Sequence, residues 1–254
     1  SCIRFSDRKI CPSCSSSDVI KNGFTANKKQ QFICKECKNR FIDFYTYKAY
    51  SHWVNKRIIQ FTKEGLVFEF FDAITPEIAI DLVEKMGLNY NNNYLSQGEL
   101  ACLMSHILLW KKASDENLPY ITIFEDDIYL GENANIFLNN NDWFKQNWDV
   151  VKLEVTQPKV IISSYSELEM DGRSIHELDY PHLGAGGYIV SNACAKKLLE
   201  HISSMEFLLP ADEILFRDFV NSDVHRVFQM TPALCVQDII TMNGNEKSNF
   251  KSYL

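Results

Sequence analysis

Tyr120-Ile121-Thr122-Ile123-Phe124-Glu125-Asp126-Asp127 is an apolar run that ends in three consecutive carboxylates. An apolar stretch of this length fits a strand covered on both faces, and in open α/β sheets ligands bind just beyond the carboxyl ends of such strands. Side chains alternate along a strand, so Glu125 and Asp127 are predicted to share one side, with Asp126 on the other. Two hard oxygen donors on one side suit a Mn²⁺ or Mg²⁺ ion that bridges a diphosphate and neutralises charge developing on it as it departs. An acidic turn after a strand is the plainer alternative for this run taken alone.

Upstream, residues 95–112 place apolar side chains at 100, 103, 107 and 110, which is helical spacing. A helix therefore feeds the acidic strand. Ser96 and Glu99 have capping-box spacing, so Glu99 either closes the amino terminus of this helix or serves the site. His106 is open to the same two readings, as a satisfied core histidine or as a functional group. Downstream, Tyr188-Ile189-Val190 reads as a short strand preceded by Gly184, Gly186 and Gly187, with a helix following from about residue 192 to 202. Glycines ahead of a strand permit close approach of a ligand, or simply a tight turn. A dinucleotide fingerprint needs its glycines after a strand and before a helix, so this order excludes one. Asp212 and Glu213 follow Pro210 and precede Ile214-Leu215-Phe216, the start of a further helix, where capping and the helix dipole favour acids in any case.

Taken together, GELACLMSH at 98–106, IFEDD at 123–127, HLGAGGYIVS at 182–191 and LPADEILF at 209–216 resemble glycosyltransferase family 25, which includes bacterial lipooligosaccharide galactosyltransferases. The resemblance runs in order over roughly residues 64–238, and four blocks jointly are far more specific than any one. It implies an α/β domain of GT-A type, a UDP-sugar donor (most often UDP-galactose), a Mn²⁺ or Mg²⁺ ion at the acidic run, and inversion at the anomeric carbon. On this reading Glu125 and Asp127 hold the ion. Glu125, Asp126, Glu99, Ser105, His106, Gly186 and Gly187 are the candidates for binding the donor. An inverting transfer needs a base for the acceptor hydroxyl. Asp212 is the first candidate for it, and Glu154, at the end of Val150-Val151-Lys152-Leu153, is the second.

The amino terminus differs in kind. Cys11-Pro-Ser-Cys14 and Cys34-Lys-Glu-Cys37 are two Cys-x-x-Cys knuckles 19 residues apart, which matches a four-thiolate Zn²⁺ site. A module of this size buries little apolar surface alone, so the metal would supply much of its folding energy. Residues 11–50 resemble the zinc ribbon that opens insertion-sequence transposases, although no transposase catalytic domain follows. Residues 1–57 carry 12 Lys+Arg against 4 Asp+Glu, in a chain whose net charge is −7. A basic ribbon with Phe24, Phe32, Phe41 and Tyr45 either meets nucleic-acid phosphates weakly or is a solvated basic face over a small aromatic core.

The expected organisation is a zinc-ribbon module over residues 1–48 and a transferase domain over 49–254. Family 25 enzymes typically open with an apolar strand and an arginine-rich turn that help to hold the nucleotide. Here Tyr45 to Arg57 occupy that place, so the first strand is expected to be missing, and either Lys56 and Arg57 replace its phosphate contacts or the donor site is incomplete. No apolar stretch approaches the roughly 20 residues that span a bilayer, and Ser1 to Ile10 lacks the pattern of a signal peptide. The expectation is a cytoplasmic enzyme, peripheral to the inner membrane face, acting on an oligosaccharide or lipid-linked acceptor. The alternative is a catalytically impaired fusion product whose ribbon binds nucleic acid.

Overall fold

The computed structural model describes residues 2–3, 14, 16, 18–24, 30–38, 40–42, 60–140 and 142–237. The elements in chain order are β1 (Cys2–Ile3), β2 (Val19–Phe24), β3 (Gln30–Cys34), β4 (Arg40–Ile42), β5 (Phe70–Phe71), α1 (Pro76–Met86), α2 (Gln97–Asp115) and β6 (Tyr120–Phe124). There follow β7 (Ile128–Leu130), α3 (Ala134–Leu138), β8 (Val150–Lys152), β9 (Ile162–Met170), β10 (Arg173–Leu178), β11 (Gly187–Ser191), α4 (Asn192–Ser204) and α5 (Ala211–Glu213). α5 runs directly into a π-helical turn, Ile214–Asp218, before β12 (Val227–Thr231) and β13 (Cys235–Gln237) close the described chain.

An eight-stranded mixed sheet in the order β5-β1-β6-β11-β8-β12-β10-β9 forms the frame. β1, β5 and β6 run parallel, β11 runs antiparallel to both β6 and β8, and β12 is parallel to β8. The period-2 pattern of these strands feeds two cores. Ile121, Ile123, Tyr188, Val190 and Val150 face a cluster with the helical residues Val83, Leu103, Trp110 and Leu198. Ile189, Val151, Leu153 and Phe228 face the other way, toward Phe137, Trp143 and Trp148. Each fully buried side chain of this size contributes about 1.5–3 kcal/mol relative to exposure, so both faces are anchored.

Local chemistry sets the helix boundaries. Thr75 caps α1 by accepting from the Ile78 amide, Pro76 opens the helix, and Gly87 ends it in the left-handed conformation. In α2 the capping box is complete: Ser96 Oγ accepts from the Glu99 amide at 3.3 Å, and Glu99 Oε2 accepts from the Ser96 amide at 2.8 Å.

The missing first strand is a point of correction. Cys2–Ile3 form a strand parallel to both neighbours, with Cys2 opposite Phe70 on one side and Phe124 on the other. The large sheet thus receives a strand beside β6 from ahead of the ribbon in sequence. Tyr45 to Arg57 lie outside the described residues. The ribbon itself is a three-stranded antiparallel sheet, β2-β3-β4.

Candidate active site

The strand register brings the candidate acids to one edge of the sheet. Gly187 lies opposite Phe124, and Tyr188 lies opposite Lys152. The carboxyl end of β6, the amino end of β11 and the carboxyl end of β8 therefore meet, which places Glu125, Gly186 and Glu154 side by side. A continuous chain of contacts crosses this edge. The Glu125 amide donates to Gly186 O at 2.9 Å, and the Gly186 amide donates to Glu154 Oε1 at 2.7 Å. Lys152 Nζ lies 3.1 Å from Glu154 Oε1 and also donates to Gly184 O. The Gly184 amide in turn donates to Asp212 Oδ2 at 3.0 Å.

Glu125 leaves β6, and Asp126 and Asp127 form the turn into β7. Sequence reasoning offered a shared metal pair or an acidic turn, and the segment is both a turn and a convergence of carboxylates. Gln237 Nε2 donates to Glu125 Oε2 at 2.7 Å and to Asp127 Oδ1 at 3.3 Å, so the two acids do face one group. That amide gathers one oxygen of each carboxylate around a single donor. Gln237 was missed from sequence. It reaches the site because β13 pairs with β7 and sets Gln237 opposite Ile128, a contact between residues more than 100 positions apart.

His106 is buried on α2, with Nδ1 2.6 Å from Tyr188 Oη and Nε2 3.5 Å from Glu125 Oε1. Burial works against its charged form, yet Tyr188, Cys102 and Glu125 together outweigh it and hold the imidazole well above its usual pKa. Ser105 and Glu99 are engaged elsewhere. Ser105 Oγ donates to Ala101 O at 2.9 Å and accepts from the Ile74 amide at 3.0 Å, tying the segment after β5 to α2. Glu99 is bound in its capping box, which lowers its pKa.

Lys152 and Glu154 are both fully buried. Burial lowers the lysine pKa and raises that of the glutamate, so the pair sits closer to neutrality than either group would in water. Glu154 Oε2 is buried and has no hydrogen-bond partner among the described residues. The glycines are sterically required. A Cβ on Gly186 would lie 2.7 Å from Glu154 Oε2 and 2.7 Å from Gln237 Cγ. One on Gly187 would fall inside the contact radius of the Cys235 sulfur. Gly187→Ala is accordingly expected to destabilise the fold by about 1–3 kcal/mol, as overpacking of a filled core does. Urea denaturation measures it, and an unchanged midpoint would show that Cys235 moves aside freely.

In the ribbon, the sulfurs of Cys14, Cys34 and Cys37 lie within 4.8 Å of one another, with Cys14 and Cys34 3.5 Å apart. The Cys37 amide lowers the Cys34 pKa, which favours the thiolate that a metal needs. Cys11 lies outside the described residues.

Comparison with known proteins identifies the family. The family model described as glycosyltransferase family 25 (LPS biosynthesis protein) matches residues 25–215, and that of the InsA N-terminal domain, a zinc ribbon, matches residues 10–38. The chain is 37% identical over 188 residues to the lacto-N-neotetraose biosynthesis glycosyltransferase LgtB of Neisseria meningitidis serogroup B, covering 70% of this chain and 68% of that protein. It is 36% identical over 188 residues to the lipooligosaccharide biosynthesis protein lic2B of Haemophilus influenzae, covering 70% and 69% respectively. The chain thus spans about two thirds of the length of such relatives. With the acidic turn, the glycine-lined edge and the Asp212 helix assembled on one mixed sheet, and with most of its length matched, the chain belongs to glycosyltransferase family 25.

Proposed function

We propose that the chain moves a hexose, galactose first among them, from a UDP-sugar to a lipooligosaccharide- or lipopolysaccharide-type acceptor, with inversion, on a domain of GT-A type. The observation that carries this reading is the unbroken line of contacts from Glu125 through Gly186, Glu154, Lys152 and Gly184 to Asp212. It supports a donor end at Glu125 and an acceptor end at Asp212 along one edge. Glu125 and Asp127, oriented by Gln237, fit Mn²⁺ or Mg²⁺; when bound, such an ion offsets negative charge on the leaving diphosphate. Asp212 is the base that takes the acceptor hydroxyl proton, held by the Gly184 amide. Glu154, being fully buried, positions Gly186 and is not placed to touch substrate. The glycines leave backbone rather than side chain facing the sugar.

Calorimetry with UDP-galactose, with and without Mn²⁺, tests this reading. Metal-dependent binding supports it, and absence of binding at millimolar Mn²⁺ turns the reading toward a transferase-like scaffold. No helix among the described residues is long and apolar enough to cross a membrane.

The ribbon is proposed to carry a structural Zn²⁺ on Cys14, Cys34 and Cys37, with Cys11 as the fourth ligand. Zn–S bonds of about 2.3 Å imply sulfur–sulfur edges of about 3.8 Å, close to the spacing of Cys14 and Cys34. A Cys34→Ser, Cys37→Ser double variant should bind one zinc equivalent fewer than wild type by elemental analysis while the transferase part keeps its thermal transition. A zinc content equal to that of wild type would refute the assignment. The excess of Lys and Arg in residues 1–57 makes weak, salt-sensitive contact with nucleic acid a further property proposed for the ribbon.

A further inference from the structure

Cys102 and His106 stand one helical turn apart on α2, so their side chains lie over the same face. Glu125 meets them from the end of β6. Cys102 Sγ lies 3.8 Å from Glu125 Oε1, His106 Nε2 lies 3.5 Å from the same oxygen, and the three ligand atoms all fall within 4.8 Å of one another. A tetrahedral ion bonded at about 2.0–2.3 Å has ligand-to-ligand edges of about 3.3–3.8 Å, so two edges of such a site are already formed.

The surroundings suit a ligand set. His106 Nδ1 is engaged by Tyr188 Oη at 2.6 Å, and Trp110 Nε1 donates to that same oxygen at 3.1 Å. The ring is thus locked with Nε2 aimed at Glu125, the outer support that metal-binding histidines characteristically have. Cys102 is exposed and the Glu125 side chain is 25% exposed, which leaves an entry path. A sulfur, an imidazole and one carboxylate form a donor set of borderline softness that prefers Zn²⁺ or Co²⁺ to Mg²⁺ or Mn²⁺.

We propose that Cys102, His106 and Glu125 bind a Zn²⁺-class ion, apart from the ribbon, with the fourth position open to solvent. Because Glu125 also belongs to the Glu125–Asp127 pair, occupancy of this softer site withdraws Glu125 from the nucleotide ion and lowers transfer. That regulatory consequence rests on the function proposed above; the binding does not.

The test uses the full chain with its ribbon loaded with zinc, titrated with Co²⁺. The expected result is a second bound equivalent with thiolate-to-cobalt charge-transfer absorption, which Cys102→Ser abolishes together with at least about a tenfold loss of affinity. On wild-type protein, Zn²⁺ should slow alkylation of Cys102 by iodoacetamide, followed by peptide mass, by at least about tenfold at saturation. This arm does not depend on a variant that folds. Failure to bind a second equivalent, an absorption band that survives Cys102→Ser, or Cys102 alkylated equally fast with and without Zn²⁺ each overturns the proposal. UDP binding measured with Mn²⁺ before any cobalt is added separates the two readings: absent UDP binding with later cobalt uptake intact fails only the transferase assignment, and the converse fails only this site.

Discussion

Lys152→Met is expected to lower the stability of the folded chain by about 3–5 kcal/mol, the cost of leaving one member of a buried ion pair without the other. Lys152 is wholly buried, 3.1 Å from Glu154 Oε1, with its ammonium 4.1 Å from the Phe216 ring centre and donating to Gly184 O. Removing it takes the only ion-pair partner described for Glu154, whose Oε2 already lacks a hydrogen bond among the described residues. Protonation of Glu154 would relieve part of this, since burial already raises its pKa. Even so, Gly184 O would lose its donor. The control is Lys152→Met with Glu154→Leu. Replacing both partners with apolar groups of similar volume should recover a large part of the loss, although the Gly186 amide then gives up its acceptor. Urea denaturation with an unchanged m-value reads both effects. A single variant as stable as wild type would show that the pair contributes no net stability and that its retention serves the geometry of the edge alone.

What could be read from sequence was what neighbours in the chain decide. The helix from Gln97, its capping box, and the strand from Tyr120 follow from spacing within a dozen residues, and the structure has all three. The four blocks that resemble family 25 also fall in the matched region, apart from the last residue of LPADEILF. The partners of the acids were hidden, because register between distant strands sets them. Gln237 meets Glu125 only through the pairing of β13 with β7, and Asp212 meets Gly184 only because the sheet edge delivers both. Lys152 reads as an ordinary polar residue in Val-Val-Lys-Leu, whereas the fold buries it completely. Likewise β1 was illegible: two residues ahead of a zinc-ribbon motif carry no periodicity from which to infer a place in a sheet completed some 120 positions later.

Asp127→Asn and Asp212→Asn should both reduce transfer steeply but differ in what they leave behind. Asp127 and Glu125 are drawn together by Gln237, whose Nε2 lies 3.3 Å from Asp127 Oδ1. On the proposed function, substituting the amide removes a charged oxygen at the point where the departing UDP gathers negative charge. Losing one preorganised electrostatic contact of this kind costs on the order of 3 kcal/mol of transition-state stabilisation, or about a hundredfold in rate. Metal-dependent UDP binding should fall with it. Asp212→Asn acts at the other end of the edge. Its remaining carbonyl oxygen can still accept from the Gly184 amide, so the backbone there keeps its anchor. An amide is no base, so turnover should drop about 10²–10⁴-fold while UDP binding with Mn²⁺ stays near wild type. Calorimetry with UDP and a radiolabelled-sugar transfer assay on the same preparations separate the two. If Asp212→Asn loses UDP binding as fully as Asp127→Asn does, then Asp212 belongs to the donor side, and the base must be sought on another element facing the Gly184–Gly187 edge.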